Sequence, residues 1–357
     1  MRRPYIDWAR GIAVLVMIEA HTLDAWTSLA DRSSPAFRYL NILGGFAAPL
    51  FLWLAGVSLV LAADSKFRAT GDRQAAHLQL IRRGLEIFVL AFLFRLQALI
   101  LTPGSPLITL FRVDILNVMG PSIVAAGLVW GFVRSRAWLV ASYALLTVSV
   151  AMITPIVRQA YLIGVLPTVA QWYLRPAGEY TTFTLLPWAA FVFAGAAVGA
   201  VLAGARDSQS ETRANGWIAV GGAGLVALGF YTAALPSIYA VSSFWTSSPT
   251  YFFIRTGLLM TMLGTLPLLA PLARRLPVAF ARLGRFGRGS LFIYWIHVEL
   301  VYGYATWPLR HKLALEQTAI AYAVFCALMY GALILRDRLV TAVRTRSSGG
   351  SPSMIRV

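Results

Sequence analysis

A segment near the start of the chain combines ionisable side chains with a spacing that suits chemistry. Residues 5–26 read YIDWARGIAVLVMIEAHTLDAW. On an α-helix, where each residue turns by about 100°, the eleven-residue step from Arg10 to His21 brings both side chains to one face, which Asp7 and Asp24 share. An imidazole with its ordinary pKa of about 6.5 can abstract a proton near neutral pH. The spacing predicts a general base at His21, on the same helix face as Arg10.

The same helix is otherwise apolar, and ionisable groups inside a membrane are costly unless they face a partner or a water-filled cavity. This face therefore predicts a cavity approached from both ends of the helix. A plainer interpretation stays open: Asp7 and Arg10 pair at the inner interface, and His21 is a packed core histidine. Glu19 lies about 180° from Arg10, which favours a structural contact with another helix.

The whole chain has the composition of an integral membrane protein. Of its 357 residues 58% are hydrophobic and 13% charged, and the mean hydropathy is +0.69, well above soluble usage. Apolar segments of about 20 residues match helices that cross a hydrocarbon core of about 30 Å. We expect an all-α, polytopic helical membrane protein with about ten transmembrane helices, at residues 8–26, 41–63, 84–101, 114–133, 137–155, 184–204, 216–236, 251–271, 289–309 and 314–335.

The remaining segments set the predicted domain limits. Residues 156–167 are apolar but too short to cross, so they predict a re-entrant or interfacial piece. We expect one membrane domain over residues 1–340 and a basic, Ser/Gly-rich cytoplasmic tail over 341–357, which composition predicts to be disordered.

The net charge of +17 is explained by the loops. With the N-terminus inside, 21 of the 31 Lys and Arg residues lie on the cytoplasmic side and seven on the other. This asymmetry predicts that both termini are cytoplasmic, with a lipid bilayer rather than a nucleic acid as partner. Only two of these residues are lysine, which is typical of GC-rich bacterial genomes and favours a bacterial cytoplasmic (inner) membrane.

Further charged groups occupy other predicted helices at two depths. At the cytoplasmic ends, guanidinium groups suit a phosphate-bearing donor, although solvated positive-inside charges are the plainer interpretation: Arg82, Arg83 and Arg288. The outer half holds Arg95, Asp114, Asn117, Arg255, His297 and Glu299. For Arg95, Asp114, Arg255 and Glu299, buried ion pairs and a binding function stay equally open. The single cysteine, Cys326, lies in an apolar run, and no metal site is expected.

Several stretches resemble a known family. The opening RPYIDWARGIAVLVMIEAH resembles the first helix of the transmembrane acyltransferase superfamily, whose acyltransferase-3 branch has an Arg and a His separated by ten residues, as Arg10 and His21 are here. The closer resemblance is to the catalytic domain of heparan-α-glucosaminide N-acetyltransferase. It is carried in order by GFAAPLFLWLAGVSL (45–59), RRGLEIFVLAFLFR (82–95), RVDILNVMG (112–120), TLLPWAAFVFAGAAVG (184–199) and GRGSLFIYWIHV (287–298).

The resemblance implies that acyl-CoA enters from the cytoplasm and that an acetyl or other short acyl group reaches a sugar-like acceptor, through a hydroxyl or amine, on the outer side. It implies His21 as the catalytic histidine, with Arg10 as its motif partner. We expect His21 to act as the base or as a transient acyl carrier, with Asp24 orienting its ring. We expect the donor to bind through Arg10, Arg82, Arg83 and Arg288. We expect the acceptor to bind through Arg95, Asp114, Asn117, Trp188, Arg255 and His297.

Two other classes of function remain as alternatives. A polar stripe through a helical bundle also serves a transporter or flippase for a polar or anionic solute. A structural membrane scaffold is the third interpretation. Oligomeric state, including a homo-oligomer, stays open.

Overall fold

The computed structural model describes residues 3–102 and 104–348, and in this part of the chain the fold is helical throughout. Two isolated β-bridges join loop residues. The α-helices in chain order are α1 (Pro4–Trp26), α2 (Pro35–Gly44), α3 (Ala47–Thr70), α4 (Arg73–Leu101), α5 (Ile115–Phe132), α6 (Arg136–Gln159), α7 (Thr168–Leu174), α8 (Leu185–Gly204), α9 (Ser208–Ala233), α10 (Pro249–Thr265), α11 (Ala270–Arg275), α12 (Pro277–Arg288), α13 (Ser290–Tyr302) and α14 (Leu315–Ser348).

The polytopic membrane architecture expected from the sequence is confirmed. Among the described residues, eight helical segments are long and apolar enough to cross a membrane. They are Pro35–Thr70, Arg73–Leu101, Ile115–Phe132, Arg136–Gln159, Leu185–Gly204, Ser208–Ala233, Pro249–Arg275 and Leu315–Val343. Each of the ten predicted segments contains a helix, but α1 carries too many charges for this set and α13 has only 13 residues. A count of ten crossings, and the side of each terminus, therefore stay predictions.

Local sequence signals fix where several helices begin. The side chains of Ser34 and Asp72 accept hydrogen bonds from the backbone N–H groups of Phe37 and Ala75, at 3.2 and 2.9 Å, and so cap α2 and α4. Pro35 and Pro249 occupy the first turns of α2 and α10, where no N–H donor is needed.

Two predicted segments can be compared with the helices directly. The short apolar stretch 156–167 completes α6 as far as Gln159 and then forms a 3₁₀ turn, Tyr161–Val165. The predicted tail begins inside α14, which continues to Ser348, so its residues 341–348 are helical. The rest of that prediction, 349–357, lies outside the described residues.

The chain divides into two compact units. The terminal unit comprises the residues up to 47 together with those from 277 onward, and it contains α1, α2, α12, α13 and α14. The central unit comprises residues 48–276 and contains the helices from α3 to α11.

In the terminal unit, α12 packs closely on α1. A Cβ atom at Gly11 would lie 2.2 Å from the carbonyl oxygen of Leu283, and one at Gly287 would lie 2.0 Å from the carbonyl oxygen of Asp7. Only glycine permits this approach of the two backbones, as in small-residue helix interfaces of membrane proteins. The contact brings the start of α13 to the N-terminal half of α1.

In the central unit, paired glycines play the same part. Gly84 of α4 and Gly120 of α5 face one another, since a Cβ on either would lie 2.9 Å from the other's carbonyl oxygen. Gly222 of α9 and Gly257 of α10 form a second such pair at 2.6 Å. The first of these crossings positions the start of α5, with Asp114 just before it, beside α4, which carries Arg95.

Candidate active site

Helix α13 runs alongside α1 in the same direction. Arg288, at the end of α12, lies beside Asp7, His297 lies beside His21, and the backbone of Val301 accepts a hydrogen bond from the Trp26 indole at 3.2 Å. The ionisable face of α1 is thus matched by polar groups at the end of α12 and on α13. The candidate site has three levels along α1, which we call inner (toward its N-terminus), middle and outer (toward its C-terminus).

The inner level is a cluster of two arginines around one carboxylate. Asp7 lies 3.8 Å from the guanidinium of Arg10 and 3.6 Å from that of Arg288. The structure therefore brings together two of the four residues predicted to bind the donor. Arg10 and His21 are separated by about 16 Å along the helix axis at 1.5 Å per residue. Val14 and Met17 are buried between them.

The middle level is a pair of histidines. The Nδ1 atom of His21 lies 2.8 Å from Nε2 of His297, and the two rings are nearly parallel, with an interplanar angle of 3°. His297 is fully buried, whereas His21 keeps part of its surface accessible. The Nδ1 atom of His297 lies 2.8 and 2.9 Å from the carbonyl oxygens of Ile293 and Tyr294 on its own helix.

The outer level contains Asp24, which the sequence predicted to orient the His21 ring. Its carboxylate accepts a hydrogen bond from the Tyr302 hydroxyl at 2.9 Å and lies 3.7 Å from the Arg32 guanidinium. The ring of Tyr302 in turn meets His21 edge-on, with centroids 5.7 Å apart. The hydrogen-bond partner of the His21 ring is thus His297, and Asp24 reaches that ring through Tyr302.

Glu19 faces away from this site, as its spacing predicted. Its carboxylate lies on the side of α1 that packs against α2, where a Cβ at Gly44 would be 3.1 Å from Oε2. Both carboxylate oxygens are buried and have no hydrogen-bond partner among the described residues. An unsatisfied buried carboxylate is costly, so Glu19 is a source of instability in this unit.

Two further predicted donor residues lie in the central unit. Arg82 and Arg83 both bond to Glu86, at 3.0 and 3.3 Å, on the exposed side of α4. Together with Glu86 they border an open groove of about 750 Å³ whose other lining residues, such as Leu85 and Val89, are apolar. The arrangement combines two guanidinium groups with an apolar surface.

A cluster of predicted acceptor residues meets at the start of α5. Arg95 of α4 forms an ion pair with Asp114. The backbone N–H of Asp114 donates to the side-chain oxygen of Asn117 at 3.0 Å, and the Asn117 amide donates to the Tyr173 hydroxyl at 3.4 Å. Burial raises the pKa of Tyr173, which keeps this phenol protonated. The prediction that these groups lie at one depth is consistent with their direct contact.

Two other predicted acceptor residues occupy separate places in the central unit. Trp188 packs edge-on against Phe183, with centroids 4.7 Å apart, and belongs to the apolar cluster that includes Val113, just before Asp114. Arg255 lies on α10 with its guanidinium over the ring of Tyr251 at 4.1 Å. The remaining acceptor prediction, His297, is in the terminal unit as the partner of His21.

Sequence reasoning missed the polar residues that complete these clusters. Tyr302 and Tyr173 contact predicted site residues only because separate helices pack together, since Tyr302 and Asp24 are 278 positions apart. Arg32 lies eight positions after Asp24, in the turn that follows α1. Nothing in their local sequence marks them.

In the described part of the chain, no group of three or more His, Cys, Asp or Glu side chains could hold a metal ion.

The comparison with protein families identifies the chain. The model described as "Heparan-alpha-glucosaminide N-acetyltransferase, catalytic" matches residues 2–236, about two thirds of the sequence. The chain belongs to this family. The resemblance found in the sequence motifs is thereby confirmed at the level of the family. No curated protein is similar enough to the chain to match it.

Membership in this family has direct consequences. It assigns the chain to a family of acetyltransferases for which acetyl-CoA is the donor, and the apolar helices make it an integral multi-pass membrane protein. The match contains α1 with Arg10, His21 and Asp24, and it ends before α10 begins. Arg255, Arg288 and His297 therefore lie outside the matched region.

Proposed function

We propose that this protein transfers an acetyl or other short acyl group from cytoplasmic acyl-CoA to a hydroxyl or amine of a sugar-like acceptor at the outer side of a bacterial cytoplasmic membrane. The observation that carries the proposal is the His21–His297 pair. A partly accessible imidazole is held at 2.8 Å by a fully buried one, on a helix whose inner end carries an arginine cluster.

The proposed reaction uses His21 as a general base. It removes the proton from the acceptor hydroxyl or amine while that oxygen or nitrogen attacks the thioester carbonyl carbon. The carbon–sulfur bond then breaks, and the proton passes from His21 to the departing CoA thiolate. Products are the acylated acceptor and free CoA. In the alternative route the acyl group is first carried by the imidazole and then released to the acceptor.

The donor is proposed to bind through guanidinium groups. Arg10 and Arg288 share the carboxylate of Asp7, so phosphate oxygens have two planar donors within reach of one cluster. Arg82 and Arg83 are proposed to bind donor phosphates on the central unit. The positive-inside prediction supports a cytoplasmic entry for the donor.

The acceptor is proposed to bind through the central unit's polar and aromatic groups. The Arg95–Asp114–Asn117 cluster offers hydrogen-bonding groups, and Trp188 offers an apolar ring. Arg255, also predicted from the sequence, is likewise proposed to bind the acceptor. Sugars present both hydroxyl groups and apolar ring faces, which suits this combination of side chains.

The test uses proteoliposomes loaded with labelled acetyl-CoA and supplied outside with an amino sugar. Wild-type protein is expected to produce labelled acetylated sugar outside the vesicles, and His21→Ala to reduce the rate by about 100-fold or more, the usual contribution of a general base. His77→Gln serves as the matched control, because the His77 ring contacts the carbonyl oxygen of Gly127 in the central unit at 3.1 Å.

Two results would contradict the proposal. Uptake or release of a solute with no consumption of acetyl-CoA would instead support a transporter. Equal transfer by wild type and His21→Ala would remove His21 from the mechanism. A thermal shift with acetyl-CoA in both proteins provides the folding and donor-binding control, since a ligand that binds the folded state raises its stability.

A further inference from the structure

The hydrogen bonds of His297 determine where its proton lies. Its Nδ1 faces the carbonyl oxygens of Ile293 and Tyr294 at 2.8 and 2.9 Å, and carbonyl oxygens only accept. Nδ1 therefore carries the hydrogen. A second proton would place a cation on a ring that is 0% exposed inside a membrane protein, at a high free-energy cost. His297 is thus neutral, with a lone pair on Nε2.

That lone pair determines the tautomer of His21. Nε2 of His297 lies 2.8 Å from Nδ1 of His21, so the His21 nitrogen must donate. A neutral His21 with its hydrogen on Nδ1 has its lone pair on Nε2. We infer that His297 is a positioning residue, which holds His21 in the Nδ1–H tautomer so that Nε2 receives the acceptor's proton. This inference rests on the proposed function of His21 as the base.

The surroundings make His297 a rigid partner. Its ring is anchored to the backbone of α13, and α13 is held to α1 by the hydrogen bond between Trp26 and Val301 at 3.2 Å. When His21 takes a second proton at Nε2, its Nδ1–H still points at the His297 lone pair. A charged donor makes the stronger hydrogen bond, so the pair stabilises the imidazolium formed during the reaction.

A spectroscopic experiment tests the tautomers without any change to the active site. The chain contains four histidines, so selective ¹⁵N-histidine labelling of the detergent-solubilised protein gives eight ring nitrogens. His77→Gln and His311→Asn identify two of the spin systems. Both remaining rings, His21 and His297, are expected to carry hydrogen on Nδ1 and none on Nε2. A protonated Nε2 on His21 in the wild-type protein near neutral pH would overturn the inference.

A pair of substitutions tests the consequence for catalysis. In His297→Gln the side-chain amide oxygen can take the place of the Nε2 lone pair, whereas His297→Leu fills similar space without an acceptor. The Leu variant is expected to lose about 100-fold or more in kcat with the KM for acetyl-CoA changed by less than about three-fold, and the Gln variant to stay within about ten-fold of wild type. Equal kcat values for the two variants would overturn the inference.

The outcomes separate this inference from the proposed function. If His21→Ala is inactive while His297→Leu is fully active, His21 remains the base and His297 is not its positioning residue. If His21→Ala is fully active, the proposed function fails first and the role of His297 fails with it. If neither His297 variant folds, the tautomer of His21 in the wild-type protein decides.

Discussion

The close contact between α1 and α12 allows a quantitative prediction for Gly287→Ala. The new Cβ would lie 2.0 Å from the carbonyl oxygen of Asp7, whereas ordinary contacts begin at 3.4 Å. The two helices must therefore separate locally by about 1.4 Å, because the carbonyl group of Asp7 belongs to the backbone and cannot rotate out of the way as a side chain could. Overpacking typically costs about 1–3 kcal/mol, and this rigid geometry favours about 3 kcal/mol.

The same shift should reduce activity. It moves Arg288 relative to Asp7 and displaces the start of α13, the helix that carries His297. A displacement of about 1 Å in a catalytic arrangement can cost about 100-fold in rate. We therefore expect Gly287→Ala to lose both free energy of unfolding and acyl transfer.

Gly331→Ala provides the matched control. Gly331 also lies within a helix, α14, but a Cβ there would have no heavy atom within 4 Å. This variant should be neutral or gain up to about 1 kcal/mol from the higher helix propensity of alanine. Unfolding of both variants is followed by tryptophan fluorescence in detergent, and transfer is measured with labelled acetyl-CoA. Equal stability and activity in the two variants would refute the reasoning from the α1–α12 contact.

Three further predictions concern other clusters. Asp114→Ala should lower the free energy of unfolding by about 3 kcal/mol in a denaturant titration, because it removes the buried carboxylate that pairs with Arg95, and a loss below about 1 kcal/mol would argue against a structural ion pair. Glu19→Gln should raise stability by about 1 kcal/mol with no change in transfer, because the buried carboxylate lacks hydrogen-bond partners among the described residues, and a lower melting temperature would contradict this. The backbone N–H and hydroxyl of Ser210 hold the pKa of Asp207 below its ordinary value, so its contribution to α9 is complete above the ordinary pKa and is lost as the pH falls through the lowered one; hydrogen-exchange protection factors at the start of α9, which correct for the slower intrinsic exchange at acidic pH, should fall with pH in wild type but depend less on pH in Asp207→Asn.

The helices and part of the site follow from local sequence. Apolar runs of membrane-spanning length located every major helix, and the 100° turn per residue placed Arg10 and His21 on one face and Glu19 on the other. Glu19 indeed faces α2, away from the histidine pair. Arg95 and Asp114, which were predicted to lie at the same depth, form a direct ion pair.

The pairing of helices could not be predicted, because it depends on contacts between distant segments. His297 was expected to bind the acceptor, but it lies against His21, 276 positions away in sequence. Likewise, Tyr302 separates Asp24 from the imidazole it was expected to orient. No periodicity within α1 or α12 contains the information that Gly11 and Gly287 bring these two helices together.

The most direct test of the central claim is the single-turnover rate of acyl transfer at saturating labelled acetyl-CoA, compared between wild type and His21→Ala with equal donor binding. We expect a rate at least about 100-fold lower in His21→Ala, with an unchanged thermal shift by acetyl-CoA. Transfer at the wild-type rate by His21→Ala would contradict the assignment of His21 as the group that moves the proton.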